Sequence, residues 1–287
     1  MTHGDCHVHS PERLPEDANA LLRDMDRNDC AFLVLISPDP LQDCFLGGRP
    51  PAIDGRLLPV APEERRQGLE ATARLVRQAP DRIHGFAWID PELPEAGEEL
   101  ERARDLGLSG VKMIPRGWYP WEQRFRPLFA RIEAMGLRML FHTGILWSFG
   151  DTSRFCRPTH LEFLMNFPGI RFLMAHGSWP WIDECIAVAL KFRCAHEARR
   201  LPGEPQAVID TTRGTPPFYR RLLLERAATV VGVGQMVYGS DHDARTIGQD
   251  TGWQEDVRLI RGELGWTDAQ IESYLRGNLA RFLARPS

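Results

Sequence analysis

Two histidines stand one residue apart near the start of the chain, in "DCHVHS" at 5–10, with Asp5 two residues before the first. On a strand, side chains alternate, so Asp5, His7 and His9 fall on one face, where neighbouring imidazoles can chelate a cation. Four more polar groups fall at the ends of strand candidates: Lys112 in "SGVKMIP", and, each after an apolar run, His142 after "LRMLF", His176 after "IRFLMA" and Asp241 after "MVYGS". A titratable group at the end of such a run is costly unless it has a partner. Taken alone, each histidine reads as a satisfied core residue. Six such groups closing successive runs read as one constellation, and its chemistry is that of a metal site. Neutral imidazoles and a carboxylate suit Zn²⁺ first, with Mn²⁺ as the alternative, and a catalytic site keeps a position for water. A bound ion brings the pKa of that water to about 7, which provides a nucleophile at neutral pH. Asp241 can serve both as a ligand and as the base that takes the water's proton.

The elements that must position these groups are legible as eight short apolar runs: 4–9, 31–37, 83–90, 109–115, 137–143, 170–176, 206–212 and 235–241. Most are apolar throughout, as parallel strands covered on both faces are. Helical segments lie between them. Pro62 stands in the first turn of one, Gly107 and Gly136 close two others, and Thr267 and Gln270 are spaced as a capping box in the last. Eight strands alternating with helices predict an α/β fold, a single-domain (β/α)8 TIM barrel over 1–287, whose strand ends gather the six groups at one mouth. A doubly wound sheet would need a Gly-rich turn after the first strand, and "HSPERLPED" offers none. A Pro/Gly-rich stretch, 38–60, follows the second strand with no periodicity and reads as a long functional loop, such as a lid.

Composition narrows the partners. A chain of 287 residues with 43% hydrophobic content can bury a substantial core, and a net charge of −4 argues against a nucleic-acid surface. No apolar run approaches the length of a membrane span. Six scattered cysteines without a CxxC pair suit reduced thiols, and "MTHGDCHVHS" lacks the features of a signal peptide, so a cytoplasmic enzyme is expected.

The loops after the strands are rich in aromatic and basic residues: Arg116, Trp118, Tyr119 and Trp121, then Trp147, Phe149, Arg154 and Arg157, then Trp179 and Trp181, with Arg213 and Arg245 further on. Lys112, Arg116, Trp118, Trp147, Arg154 and Trp179 are the candidate substrate-binding residues, for a small anionic molecule flat enough to lie against an indole. The alternative is that the rim tryptophans cover the open end of the barrel or a homodimer contact, and that the arginines are solvated. Cys6 alternates away from the histidines and should face the helices. His3, His84, His160 and His196 lie outside the constellation, and His242 should point away from it.

The ordered motifs DxH extended to His9, "GVKMIP", "FHTG", "AHGSW", "YGSDHD" and "GNLARFL" resemble the amidohydrolase superfamily. More closely they resemble its amidohydrolase-2 branch, the aminocarboxymuconate-semialdehyde decarboxylase-like metal-dependent hydrolases. The resemblance implies a metal held by His7, His9, His142 and Asp241, with His176 on a second metal or on the attacking water. It leaves Lys112 two roles: a carbamylated bridge between two ions, or a contact to a substrate carboxylate. It implies a hydrolase acting on a small organic acid, lactone, ester or amide; the alternative is a decarboxylase or hydratase of an aromatic or unsaturated carboxylic acid. Some members of the branch are metal-free lactonases. Asn278 and Arg281 are expected to pack beneath the barrel.

Overall fold

A computed structural model of the chain describes residues 1–11, 13–41, 58–148, 150–201 and 203–284. Its strands are β1 (His3–His9), β2 (Cys30–Ile36), β3 (Ile83–Trp88), β4 (Gly110–Met113), β5 (Arg138–Phe141), β6 (Phe172–Met174), β7 (Ala207–Asp210), β8 (Met236–Val237) and β9 (His242–Asp243). All pair in parallel, in the order β8-β7-β6-β5-β4-β3-β2-β1-β9. The last two are halves of one terminal segment: β8 bonds to β7 and β9 bonds to β1. Between them the Cys6 amide donates to the Tyr238 carbonyl (3.1 Å) and the Asp241 amide to the His7 carbonyl (2.9 Å), which closes the sheet into the expected barrel. The eighth strand was expected to run unbroken through Asp241. It breaks there because Asp241 takes a left-handed backbone, φ +62°.

The helices follow the sequence signals. They are α1 (Asn19–Arg27), α2 (Pro62–Gln78), α3 (Ala96–Asp105), α4 (Arg126–Ala134), α5 (Ile182–Arg199), α6 (Pro217–Val230), α7 (Gly252–Gly262), α8 (Asp268–Glu272) and α9 (Asn278–Leu283). α2 opens on Pro62 with Glu63 and Glu64 in its first turn. α3 and α4 stop where Gly107 and Gly136 adopt φ of +80° and +65°. Thr267 and Gln270 form the full capping box of α8. Among the described residues no helix is long and apolar enough to cross a membrane.

Alternation divides the strand residues between two layers. Leu33 and Leu35 pack outward against Leu21 and Met25 of α1 and Leu75 of α2. Val34, Ile36, Phe86, Leu140, Leu173, Val208 and Val237 fill the inside, closed below by Leu279 and Phe282 of α9. Cys6 belongs to this inner cluster, contrary to the outward placement expected of it. A register shift between Asp5 and Val8 breaks the simple alternation of β1. Beneath the barrel Asn278 donates to the carbonyls of Val233 and Met236, 2.7 Å each, as a packing residue does. Most of the Pro/Gly-rich loop, 42–57, lies outside the described residues; its ends meet in an antiparallel bridge between Leu41 and Pro59.

Candidate metal centre

Each residue of the constellation sits at the C-terminal end of its strand, the end where barrels carry their chemistry. His7 and His9 end β1, Lys112 is on β4, His142 follows β5, His176 stands two residues beyond β6, and Asp241 occupies the break between β8 and β9. Three come together tightly. His7 Nε2 and His9 Nε2 lie 3.3 and 3.2 Å from Asp241 Oδ1, and the three donor atoms fall within 4.8 Å of one another. Ligand atoms about 2.1 Å from a tetrahedral ion are separated by roughly 3.4 Å, so this spacing fits a divalent cation.

Protonation suits the same reading. Burial, reinforced by the Lys112 charge, brings the pKa of His7 down to about 4, so its imidazole is neutral near pH 7. Burial would raise the Asp241 carboxyl, but the imidazoles of His7, His176 and His9 hold it well below the ordinary carboxylate range. Its side chain is 29% exposed and that of His9 28%, so these two form the accessible side of the group. Neutral imidazoles beside an ionised carboxylate are what a divalent ion requires.

Lys112 is fully buried, with Nζ 3.0 Å from His7 Nε2, and burial brings its pKa down to about 8. His142 is beside the three-residue group but not within it. Its Nδ1 meets His176 Nε2 at 3.2 Å and its Nε2 faces the Ile145 carbonyl at 3.3 Å. His176 reaches Asp241 only at 3.8 Å and instead bonds Thr212 Oγ1 through Nδ1, at 2.7 Å. His176, Gly177 and Ser178 all take left-handed backbone, with φ between +51° and +59°. For His176, Ser178 and Asp241 that conformation costs about 1–2 kcal/mol each, and it aims the side chains where the strands alone would not.

Asp5 is fully buried and accepts from the amides of His7 and Ser240, 3.0 Å each, tying β1 to the break in the eighth strand. His242 bonds Thr246 at 3.1 Å, away from the cluster.

The rim residues separate into several kinds. Trp118 is fully buried against Phe125 in the main core; the expectation of a pocket wall is corrected, because its ring is enclosed by core side chains and has no exposed face. Trp147 is 51% exposed and its ring lies parallel to that of Trp179, 6.2 Å between centroids. Arg154 is exposed, lies over Phe155 and sits 3.4 Å from Asp151, so it faces solvent and not the site. Arg116 has a buried side chain, grips Asp39 through both terminal nitrogens at 2.8 and 2.7 Å, and lies over Trp88, whose ring is 5.4 Å from that of His9. Arg157, Arg213 and Arg245 each pair with a carboxylate as well: Glu184, Glu255 and Asp243. Phe149 lies outside the described residues.

Two groups at the centre were not singled out in the sequence. Asp210, the last residue of β7, is fully buried and bonds His7 Nδ1 at 2.8 Å; Thr212 bonds His176. The signal was available, since "QAVIDTT" closes an apolar run on a carboxylate just as "MVYGSD" does. Trp88 and Asp39, the surroundings of Arg116, carried no such signal.

Solved structures share this fold over most of their length. 5-Carboxyvanillate decarboxylase from Sphingomonas paucimobilis aligns with a TM-score of 0.63 at 16% identity, covering 100% of both chains. 4-Oxalomesaconate hydratase from Rhodopseudomonas palustris aligns at 0.63 and 15%, covering 98% of this chain and 95% of that one. A 5-carboxyvanillate decarboxylase from Novosphingobium aromaticivorans, solved with manganese and 4-hydroxy-3-methoxy-5-nitrobenzoic acid, aligns at 0.60 and 16%, covering 91% and 78%. A comparison with curated protein sequences returns no match. The amidohydrolase family model matches residues 5–285, from the carboxylate that anchors β1 to the end of α9. With that match over nearly its whole length, the chain belongs to the amidohydrolase family, in the amidohydrolase-2 branch.

Proposed function

We propose that this chain is a metal-dependent hydrolase of a small organic acid, lactone, ester or amide, with His7, His9 and Asp241 as the core of the metal site. The observation that carries this reading is the convergence of two imidazole nitrogens and an ionised carboxylate within 4.8 Å of one another, at the catalytic end of the barrel. His142, bonded to His176, is the residue we expect to add a fourth ligand. A divalent ion there supplies Lewis acidity, acidifying water and polarising a carbonyl. Asp241 would take the water's proton, and were His142 Nδ1 to ligate the ion, it would release its partner His176 Nε2–H, 3.2 Å away, to orient the reacting oxygen.

Lys112 favours hydrolysis over the other reactions of the branch. It is buried beside His7, and a depressed pKa raises its share of free amine, the form that carbamylation requires. As an ammonium it is instead the cation closest to the cluster for a substrate carboxylate. Arg116 has a carboxylate in its grip already, Asp39, and a substrate acid would have to replace it there. Trp147 and Trp179 offer parallel aromatic faces at the rim to a planar substrate. Zinc is the first metal expected, and manganese the second.

A second reading, decarboxylation or hydration of an unsaturated or aromatic acid, is supported by the decarboxylases and the hydratase among proteins of the same fold. Product analysis separates the two. Proton release with ring opening or ester cleavage identifies the hydrolase, and CO₂ release from aromatic acids the decarboxylase. If the protein reconstituted with zinc and with manganese cleaves no member of an ester, lactone and amide panel but releases CO₂, the hydrolase reading is withdrawn.

A further inference from the structure

We infer that β7, which contributes no ligand, fixes the imidazole tautomers of the site: Asp210 sets that of His7 and Thr212 that of His176. The inference rests on the metal-site reading for its consequence but not for its geometry.

His7 has partners on both ring nitrogens. Asp210 Oδ2 lies 2.8 Å from Nδ1, and an ionised carboxylate can only accept, so the ring proton is on Nδ1. Nε2 is then left with its lone pair, which accepts from Lys112 Nζ at 3.0 Å and faces the acceptor Asp241 Oδ1 at 3.3 Å, as two ligands of one cation do. The other oxygen of Asp210 is pinned as well, because Oδ1 accepts the Thr212 amide at 2.8 Å. Asp210 therefore cannot rotate without abandoning one of two buried bonds.

The same amide predicts what Asp210→Asn does. Thr212 N–H demands an oxygen at the Oδ1 position, so the carboxamide must place its NH₂ toward His7 Nδ1. That NH₂ is a donor, and it forces the ring proton to Nε2. The lone pair that faces the cluster is lost: Nε2–H meets the Lys112 ammonium, itself a donor, and takes Asp241 Oδ1, 3.3 Å away, as its acceptor.

Thr212 does the corresponding work for His176. Its hydroxyl oxygen accepts the His176 amide at 3.2 Å, which leaves its own proton for Nδ1 at 2.7 Å. A neutral His176 then carries its proton on Nε2 and donates it to His142 Nδ1 at 3.2 Å. His142 Nε2–H ends the chain on the Ile145 carbonyl, at 3.3 Å. Every donor in this series meets an acceptor, and no other assignment of neutral rings does so. Packing keeps the arrangement closed: a Cβ on Gly214 would sit 2.4 Å from His176 Nδ1, and one on Gly239 2.4 Å from Thr212 Cγ2 and 3.2 Å from His7 Cβ. Asp210 and Thr212 are thus positioning residues, acting on the metal through the rings they hold.

The test combines imidazole nitrogen NMR of the metal-free protein with zinc affinity by chelator competition, on wild type, Asp210→Asn, Thr212→Val and Thr212→Ser. Wild type should show protonated Nδ1 in His7 and protonated Nε2 in His176. Asp210→Asn should move the His7 proton to Nε2 and weaken zinc about 10–100-fold. Thr212→Val should disturb the His176 tautomer, and Thr212→Ser, which keeps the hydroxyl, should restore it. Asp210→Asn with the wild-type His7 tautomer and affinity would overturn the assignment to Asp210; should that variant not fold, the Val/Ser pair decides, and equal spectra for those two would overturn the β7 role. Tautomers as stated in a wild type that binds no zinc would sustain the inference about β7 and refute the metal site instead.

Discussion

His3 and His7 stand four residues apart on β1, both buried, and burial lowers the pKa of each to about 4. Their surroundings differ completely. His3 stacks on Trp253 at 5.2 Å and meets the edge of Tyr238, and neither ring nitrogen has a hydrogen-bond partner among the described residues. His7 is held at Nδ1 by Asp210 and met at Nε2 by Lys112 and Asp241. Burial makes either imidazole neutral; only partners at defined ring atoms make a neutral imidazole into a ligand. One end of the strand uses histidine as a flat apolar ring, the other as a directed donor.

The largest effect that would break this comparison is loss of His7. His7→Ala should reduce zinc affinity by more than the roughly 100-fold expected from losing an orienting partner, whereas His3→Phe should leave metal content unchanged. Equal metal content in the two variants would erase the distinction between the two ends of β1.

The same contrast holds at the rim between Trp118, in the core, and Trp147, in solvent. Trp118→Ala should cost about 3–5 kcal/mol in urea unfolding, and Trp147→Ala no more than about 0.5 kcal/mol. A large loss for Trp147 would mean that its exposed face is covered by a partner.

A smaller effect appears with pH. The unfolded chain binds a proton at His3 near pH 6.5, and the folded one only near pH 4. Stability from the neutral ring is therefore complete above about 6.5 and is lost as pH falls toward 4. Between pH 7 and 4.5 the wild type should lose about 2–3 kcal/mol relative to His3→Phe. Parallel unfolding curves for the two at both pH values would show that the His3 ring takes up a proton without cost.

Smallest of all, Arg154→Ala should change stability by no more than about 0.5 kcal/mol and leave turnover intact, since that side chain is exposed on Phe155. A selective rise in KM would return Arg154 to the substrate site.

The barrel was readable because its signals are local: apolar runs, acidic helix starts, glycines at helix ends and the capping box at Thr267. His7 and His9 were readable from their spacing on one face of a strand, and Asp241 because it ends an apolar run. What escaped depends on departures from regular backbone. The register shift in β1 turned Cys6 inward, and the left-handed turn at Asp241 split the eighth strand. Strict alternation cannot foresee either. Trp118 and Trp147 look alike in a rim segment, since neither the burial of one nor the exposure of the other leaves a mark on composition. Asp210 is a different kind of omission: the rule that found Asp241 applied to it equally, and only its bond to His7 shows what it does.

Metal content per chain, by elemental analysis of protein purified without chelator and again after incubation with zinc or manganese, tests the central claim most directly. The account predicts one tightly held divalent ion per chain, lost in His7→Ala and Asp241→Ala but kept in His3→Phe. No bound ion under either condition would contradict it.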